Sequence, residues 1–267
     1  MGKVKIDAYR LLEKIRIEKP VIHHLTNWVT IYDCANIVKV LGASPVMAHA
    51  KEEVAQMSRI ASALVLNIGT LTVDFIEAMK IAAKSANEKR IPVILDVCGA
   101  GATRLRDEKS LELLDEVEID IIKGNSSEIA RISGAKVKTK GVDALRVNQD
   151  LTSLARRLAQ KRQCTVVVTG KEDIIASEKK LYIVKNGDPM MTHIVGTGCM
   201  ATSAIGTFAA VEADLAYAAT CALVCFEIAA ECAAKNCRGP ATFKEGIFDC
   251  LYHLDKKTVE RMQKVEG

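Results

Sequence analysis

The stretch 195-VGTGCMATSAIGTFAA-210 puts a cysteine at the point where two glycines, one residue apart, lead the chain into a helical run. A helix start carries unpaired N–H groups and the positive end of the helix dipole, so Gly196 and Gly198 are read as shaping an anion hole. A side chain at position 199 would touch the reacting atoms of any phosphate or oxyanion held there. An ordinary thiol has a pKa of about 8.5, and a helix N-terminus draws that value down. Cys199 therefore suits two chemistries, a base toward a hydroxyl group or a nucleophile of the thiol-hydrolase kind with His23 or His24 as its partner. The bland alternative is a small residue filling the space between glycine and helix.

Two carboxylates are the next candidates. Asp96 closes the apolar run 92-PVILD-96 and is followed by glycines, with no helix for it to cap. Glu128 lies in 119-IDIIKGNSSEI-129, where Asn125 as N-cap and Glu128 three residues on resemble a capping box. Brought to one sheet edge, the pair could hold Mg²⁺ through its waters, which suits phosphate transfer. The glycine turn after Asp96, GAGAT, invites a dinucleotide reading, but Arg104 stands where a third small residue belongs and no acidic residue closes a strand about twenty residues on. The phosphate-binding pattern GxxxxGK[ST] is absent.

These residues need a scaffold that carries them to one edge. Short apolar runs at 20–25, 45–48, 63–69, 92–96, 119–123 and 165–169 alternate with stretches of helical period at 30–41, 51–61, 73–89, 107–116 and 150–162. Nearly continuous apolar strands separated by helices predict an α/β fold whose parallel sheet is covered on both faces. The runs 173-DIIAS-177 and 181-LYIVK-185 predict an antiparallel hairpin at the sheet edge, and helices dominate from Cys199 onward. No linker-like stretch and no repeat divides residues 1–267, so one domain is expected. In open sheets of this kind ligands gather beyond the carboxyl ends of the strands. Here those positions hold Thr26–Asn27, Asn67–Thr70, Asp96–Thr103, Lys123–Glu128 and Thr169–Gly170.

Composition narrows the partners. In 267 residues, Lys and Arg exceed Asp and Glu by 37 to 33, and the excess is scattered, which does not suggest nucleic acid. The N-terminal twenty residues lack the apolar core of a secretory signal, and the apolar run 215–234 contains Glu227 and Glu231, so a cytoplasmic protein without a membrane span is expected. The nine cysteines are odd in number and form no C-x-x-C pair, so reduced thiols are expected. Cys221, Cys225 and Cys232 recur at helical spacing among apolar residues and read as core, and Cys34, Cys164, Cys237 and Cys250 read as structural.

Nine stretches in this order, HHLTNWVT, LGASPVMAHAKEEV, LVLNIGTL, ILDVCGAGAT, KGNSSEI, KGVDA, VVVTG, VGTGCM and GPATF, resemble the hydroxyethylthiazole kinase family of the ribokinase-like superfamily. The resemblance implies a three-layer α/β/α kinase with a mostly parallel central sheet. It implies transfer of the ATP γ-phosphate to the hydroxyl of 4-methyl-5-(2-hydroxyethyl)thiazole, for thiamine synthesis or salvage, with Mg²⁺ and a homotrimer whose sites lie near the subunit interfaces. Cys199 would stand at the base position that most ribokinase-like enzymes fill with Asp. Gly196 and Gly198 would shape the anion hole, and Met47, Asn27 and Gly69 would border the thiazole. Lys123, Thr169 and Asn125 would meet ATP, and Asp96 and Glu128 would arrange Mg²⁺ and the phosphates.

Three departures accompany the match. Val97 and Cys98 replace the Pro and Val of the common DPVGAG, which predicts a less rigid turn. Lys123 stands where Arg is frequent, a point charge without the planar fork. GPATF replaces a more glycine-rich loop. The rival readings are a hydroxymethylpyrimidine or pyridoxal kinase, whose base would be Asp, a dinucleotide-dependent oxidoreductase, and a thiol hydrolase.

Overall fold

In the computed structural model, residues 2–134 and 151–267 are described, so the KGVDA stretch at 140–144 lies outside the described residues. The described strands form one sheet in the order β2-β1-β3-β4-β5-β6-β7-β8-β9. Six of them run parallel: β1 (Val21–Leu25), β2 (Ser44–Val46), β3 (Ala63–Asn67), β4 (Val93–Asp96), β5 (Ile121–Asn125) and β6 (Thr165–Thr169). Then β7 (Asp173–Ala176) and β8 (Leu181–Val184) form the expected hairpin, antiparallel to β6 and to each other. One further strand, β9 (Val265–Glu266), was not expected; it borders β8, and its Val265 carbonyl accepts the N–H of Val4. Two residues are too few to carry a readable alternation, and a neighbour brought from the far end of the chain made the strand.

The apolar runs show no alternation because both faces of the sheet are covered. Ile22, Val65, Ile94, Ile121 and Val167 pack against α1 (Ala8–Glu18), α2 (Ile31–Leu41), α8 (Thr197–Ala209), α9 (Leu215–Ala234) and α10 (Pro240–Tyr252). Leu64, Leu66, Val93, Leu95, Ile122 and Val166 face α3 (Val54–Ile60), α4 (Val73–Lys89), α5 (Arg104–Glu116), α6 (Ser126–Ile132) and α7 (Leu151–Arg162). The result is the three-layer α/β/α architecture. Cys221 and Cys225 are fully buried within α9, whose length and apolarity would suit a membrane but whose surface is mostly buried against the sheet and the helices around it.

Two glycines set how α8 meets the sheet. A Cβ on Gly206 would stand 2.4 Å from Val65 Cγ2, so the helix lies closer to β3 than a side chain would permit. At its start, Gly196 adopts φ +96° and a Cβ there would stand 2.4 Å from Thr30 Cγ2. The first position fixes the depth of the helix and the second its entry, and together they carry the first turn of α8 over the carboxyl edge of the parallel strands.

Candidate functional site

Because β1, β3, β4, β5 and β6 are parallel, the residues that follow them emerge at one edge, where the start of α8 also lies. Gly196 supplies no side-chain cap, so the N–H groups of the first turn of α8 are free to meet an anion. Lys123 faces the same turn: a Cβ on Gly198 would stand 3.1 Å from its Nζ.

Cys199 is 9% exposed, and its sulfur is ringed by donors. Asn27 Nδ2 donates to Sγ over 3.1 Å and Asn67 Nδ2 over 3.3 Å. The surrounding network orients both amides. Asn27 Oδ1 accepts from the N–H and hydroxyl of Thr30, and Asn67 Oδ1 accepts from the Gly69 N–H at 2.8 Å and from Asn27 Nδ2. Each amide is left with N–H to present to sulfur, an arrangement that favours thiolate over thiol. The Cys98 thiol also hydrogen-bonds Cys199, and this contact is the largest influence holding the Cys199 pKa down to about 6. Burial and the Asp96 carboxylate oppose it, while Thr30 and the Lys123 ammonium assist. Cys98, the donor, is correspondingly pushed up.

Asp96 and Lys123 are almost wholly buried and form an ion pair, Nζ to Oδ2 at 3.2 Å. Burial works against the Lys123 charge, but Asp96, Glu128 and Cys199 outweigh it and hold the ammonium firmly protonated. The Thr202 hydroxyl, one turn beyond Cys199 on α8, donates to the same Asp96 Oδ2 at 2.6 Å. Asp96 Oδ1 is buried and, among the described residues, has no hydrogen-bond partner, a free acceptor beside the Lys123 pair. Glu128 joins the turn after β4 to the start of α6: its Oε1 accepts from the Gly99 N–H and its Oε2 from the Asn125 N–H, both at 2.7 Å. Burial, and then the nearby Asp96, raise its pKa.

The capping box expected at Asn125 and Glu128 is present in full. It commits the Asn125 side-chain oxygen to Ser127 and Glu128. Thr169 pairs with Asn125 across β5 and β6 and donates to the Gly124 carbonyl at 3.4 Å. Gly69 sits where a Cβ would stand 3.0 Å from both Asn27 Cβ and Asn67 Oδ1. Met47, half-buried, follows β2 at the same edge, and the next carbonyl, that of Ala48, is held by His23 Nε2 at 2.8 Å.

Two early alternatives lose their footing. The N–H groups of Gly99 and Gly101 in the GAGAT turn are taken by Glu128 and Asp107, and the Arg106 guanidinium lies over the turn, donating to the carbonyls of Ile68, Gly69 and Cys98. Such a turn offers no cradle for a pyrophosphate. His23 bonds Ser58 and the Ala48 carbonyl, and His24 bonds Ser203 and the Ile22 carbonyl, so both rings are engaged away from the Cys199 sulfur. Burial lowers both histidine pKa values, that of His24 to about 4. The turn at Val97 is also better tied than its lack of proline suggested: Val97 is buried and donates its N–H to the Lys123 carbonyl at 3.0 Å, a bond proline could not make.

The single-residue reading missed Thr30, Cys98, Arg106 and Thr202. Thr202 carried a signal, since it follows Cys199 by three residues on a helix and shares its face. For Arg106 there was none, because it works through backbone carbonyls supplied by two separate loops.

The parallel sheet with an antiparallel edge, helices on both faces and a helix N-terminus over the carboxyl edge is an arrangement shared with proteins of the ribokinase-like class. A ribokinase-like superfamily protein from Enterococcus faecalis has the same fold at 14% identity, with a TM-score of 0.64 over 94% of this chain and 98% of that one. The model of the hydroxyethylthiazole kinase family matches residues 12–257. Hydroxyethylthiazole kinase from Methanosarcina mazei is 52% identical over 96% of this chain and 98% of its own length, and that of Chloroflexus aurantiacus 45% identical over 96% and 95%. The solved hydroxyethylthiazole kinase of Pyrococcus horikoshii OT3 superposes with a TM-score of 0.89 at 36% identity, covering 97% of this chain and 98% of that one. The chain belongs to the hydroxyethylthiazole kinase family.

Proposed function

We propose that this protein phosphorylates the hydroxyl of 4-methyl-5-(2-hydroxyethyl)thiazole at the expense of ATP, in the supply of thiazole phosphate for thiamine. Family membership supports the reaction. The observation that carries the mechanism is the ring of donors on Cys199, which favours a thiolate at the mouth of an anion hole. In this reading the thiolate takes the hydroxyl proton as the alcohol oxygen attacks the γ-phosphorus and ADP leaves. Phosphoryl transfer asks chiefly for positioning and charge stabilisation, so a mild base suffices. The N–H groups at the start of α8 and the Lys123 ammonium beside Gly198 receive the charge of the transferring group.

Asn27, Gly69 and Met47 border the thiazole, and Lys123, Asn125 and Thr169 the nucleotide. The Asp96 Oδ1, unpartnered among the described residues, would help to hold a hydrated Mg²⁺, and Glu128, both of whose oxygens already accept backbone N–H groups, would meet it only indirectly. When bound, the ion neutralises phosphate charge. Trp28, Val29, Tyr32 and Val195 are exposed beside the Thr30–Gly196 contact, an apolar rim in keeping with a homotrimer whose sites lie near its interfaces. Sedimentation equilibrium reads that state directly.

A coupled ADP-release assay over the thiazole alcohol, hydroxymethylpyrimidine and pyridoxal tests the reading. Preference for the thiazole alcohol is expected, and preference for either of the others overturns it.

A further inference from the structure

Two buried carboxyl groups lie away from the base and take no part in the chemistry above. Asp173, the first residue of β7, is 4% exposed, and Glu227, midway along α9, is 6% exposed. The two carboxyls are near enough to set one another's protonation, and among the described residues Glu227 Oε2 has no hydrogen-bond partner. Two carboxylates in contact in a buried place cannot both be charged, so the pair must hold a proton between them. Asp173 has the better claim to the negative charge. Its Oδ1 accepts the Gly170 N–H at 2.9 Å, and it feels the Lys123 ammonium on β5. Glu227 has none of these supports: burial foremost, then Asp173 and Glu231 one turn along α9, push it well above the ordinary carboxylate range. Lys264, before β9, pulls the other way but is bonded to Glu231. The protonated Glu227 therefore donates to Asp173, and Asp173 holds the turn that leaves β6.

We propose that Glu227 is a positioning residue for the nucleotide edge of the site: through one proton shared with Asp173 it fastens α9 to the Thr169–Gly170 turn. The neighbouring loop is fastened in parallel, since Glu231 accepts from Asn186 Nδ2 and the Gly187 N–H. α9 thus braces two loops at the carboxyl edge with two successive turns. The inference rests on the reading that Thr169 meets ATP. It predicts that ionising Glu227 sets two buried negative charges against each other and loosens that turn.

The test compares wild type, Glu227→Gln and Glu227→Leu. Gln keeps a donor toward Asp173 and cannot ionise, whereas Leu removes the donor. With Mg²⁺-ATP and no thiazole, calorimetric Kd values are measured from pH 7 to pH 9.5. Wild type is expected to lose ATP affinity relative to Glu227→Gln as pH rises toward the folded value of Glu227, Glu227→Gln to stay flat, and Glu227→Leu to be weak throughout with KM for ATP raised more than kcat is lowered. Glu227→Gln shares every titration of ATP itself and serves as the control. A second readout needs no nucleotide. A carboxyl whose pKa is raised by folding holds its proton where the unfolded chain has lost it, so wild-type stability falls as pH rises toward the folded value. Glu227→Gln should lack that fall in urea melts, and this comparison stands even where Glu227→Leu does not fold. Parallel stability curves for wild type and Gln, or equal ATP affinity in all three proteins, overturn the proposal alone. A wild type that binds no ATP overturns the functional reading and this inference with it.

Discussion

Replacing Cys98 by valine removes the thiol that donates to Cys199 and leaves the amides of Asn27 and Asn67 in place. A hydrogen bond to a charged partner contributes about 1.5–3 kcal/mol. At about 1.36 kcal/mol for each pKa unit, the Cys199 value would rise by roughly one to two units. Its starting point is about 6. A base works when deprotonated, so the acid limb of kcat/KM should move from about 6 to roughly 7–8. At pH 7 the thiolate fraction then falls from about nine-tenths to between roughly one-half and one-tenth, a two- to tenfold loss of rate that disappears above about pH 9. The assay is coupled ADP release with the thiazole alcohol across pH 5–9.5. Cys98→Ser, which restores a donor, should return the limb toward the wild-type position. An unmoved limb in Cys98→Val would refute the reasoning, as would a loss of rate equal at every pH.

Other outcomes follow from the same geometry. Cys199→Asp should retain turnover and Cys199→Ala should lower kcat more than KM, because only the alanine removes the proton acceptor; an unchanged kcat in the alanine variant would end the base assignment. Lys123→Met leaves Asp96 buried without its ion-pair partner and should destabilise the fold by about 3–5 kcal/mol in denaturant melts, beyond any effect on ATP. Gly196→Ala meets both a φ of +96° and Thr30 Cγ2 at 2.4 Å, so it should cost about 1–3 kcal/mol. The variant should also lose activity at temperatures where circular dichroism still reports a folded protein.

Much of the scaffold was legible because apolar runs and helical periods alternate along the chain. The helix at 73–89 and the strand at 165–169 have the bounds their patterns suggest, and the hairpin at 173–184 falls within one residue. The capping box at Asn125 was readable because it is a local device, complete within four residues. What escaped depends on residues meeting across the sheet. The donors on Cys199 come from the turn after β1, the last residue of β3 and the turn after β4, so no spacing along the chain links Asn27, Asn67 and Cys98. The turn at GAGAT was misleading for the same reason: its glycines resemble a phosphate loop until Arg106, Asp107 and Glu128 are seen to occupy its polar groups. Glu227 looked like an obstacle to a membrane span and is buried on α9, a helix packed against β7.

The Arg106 guanidinium binds the carbonyls of Ile68, Gly69 and Cys98 at 2.8 to 3.0 Å. It therefore behaves as a rivet between the loop after β3 and the loop carrying the second thiol. A shift of either loop pulls on the other through the three hydrogen bonds of one guanidinium, so the Ile68–Gly69 backbone and Cys98 are tied to each other within the chain itself. Under the proposed function, the wall that Gly69 gives the thiazole and the Cys98 thiol beside the base would answer to one side chain, so a change at Arg106 would reach both.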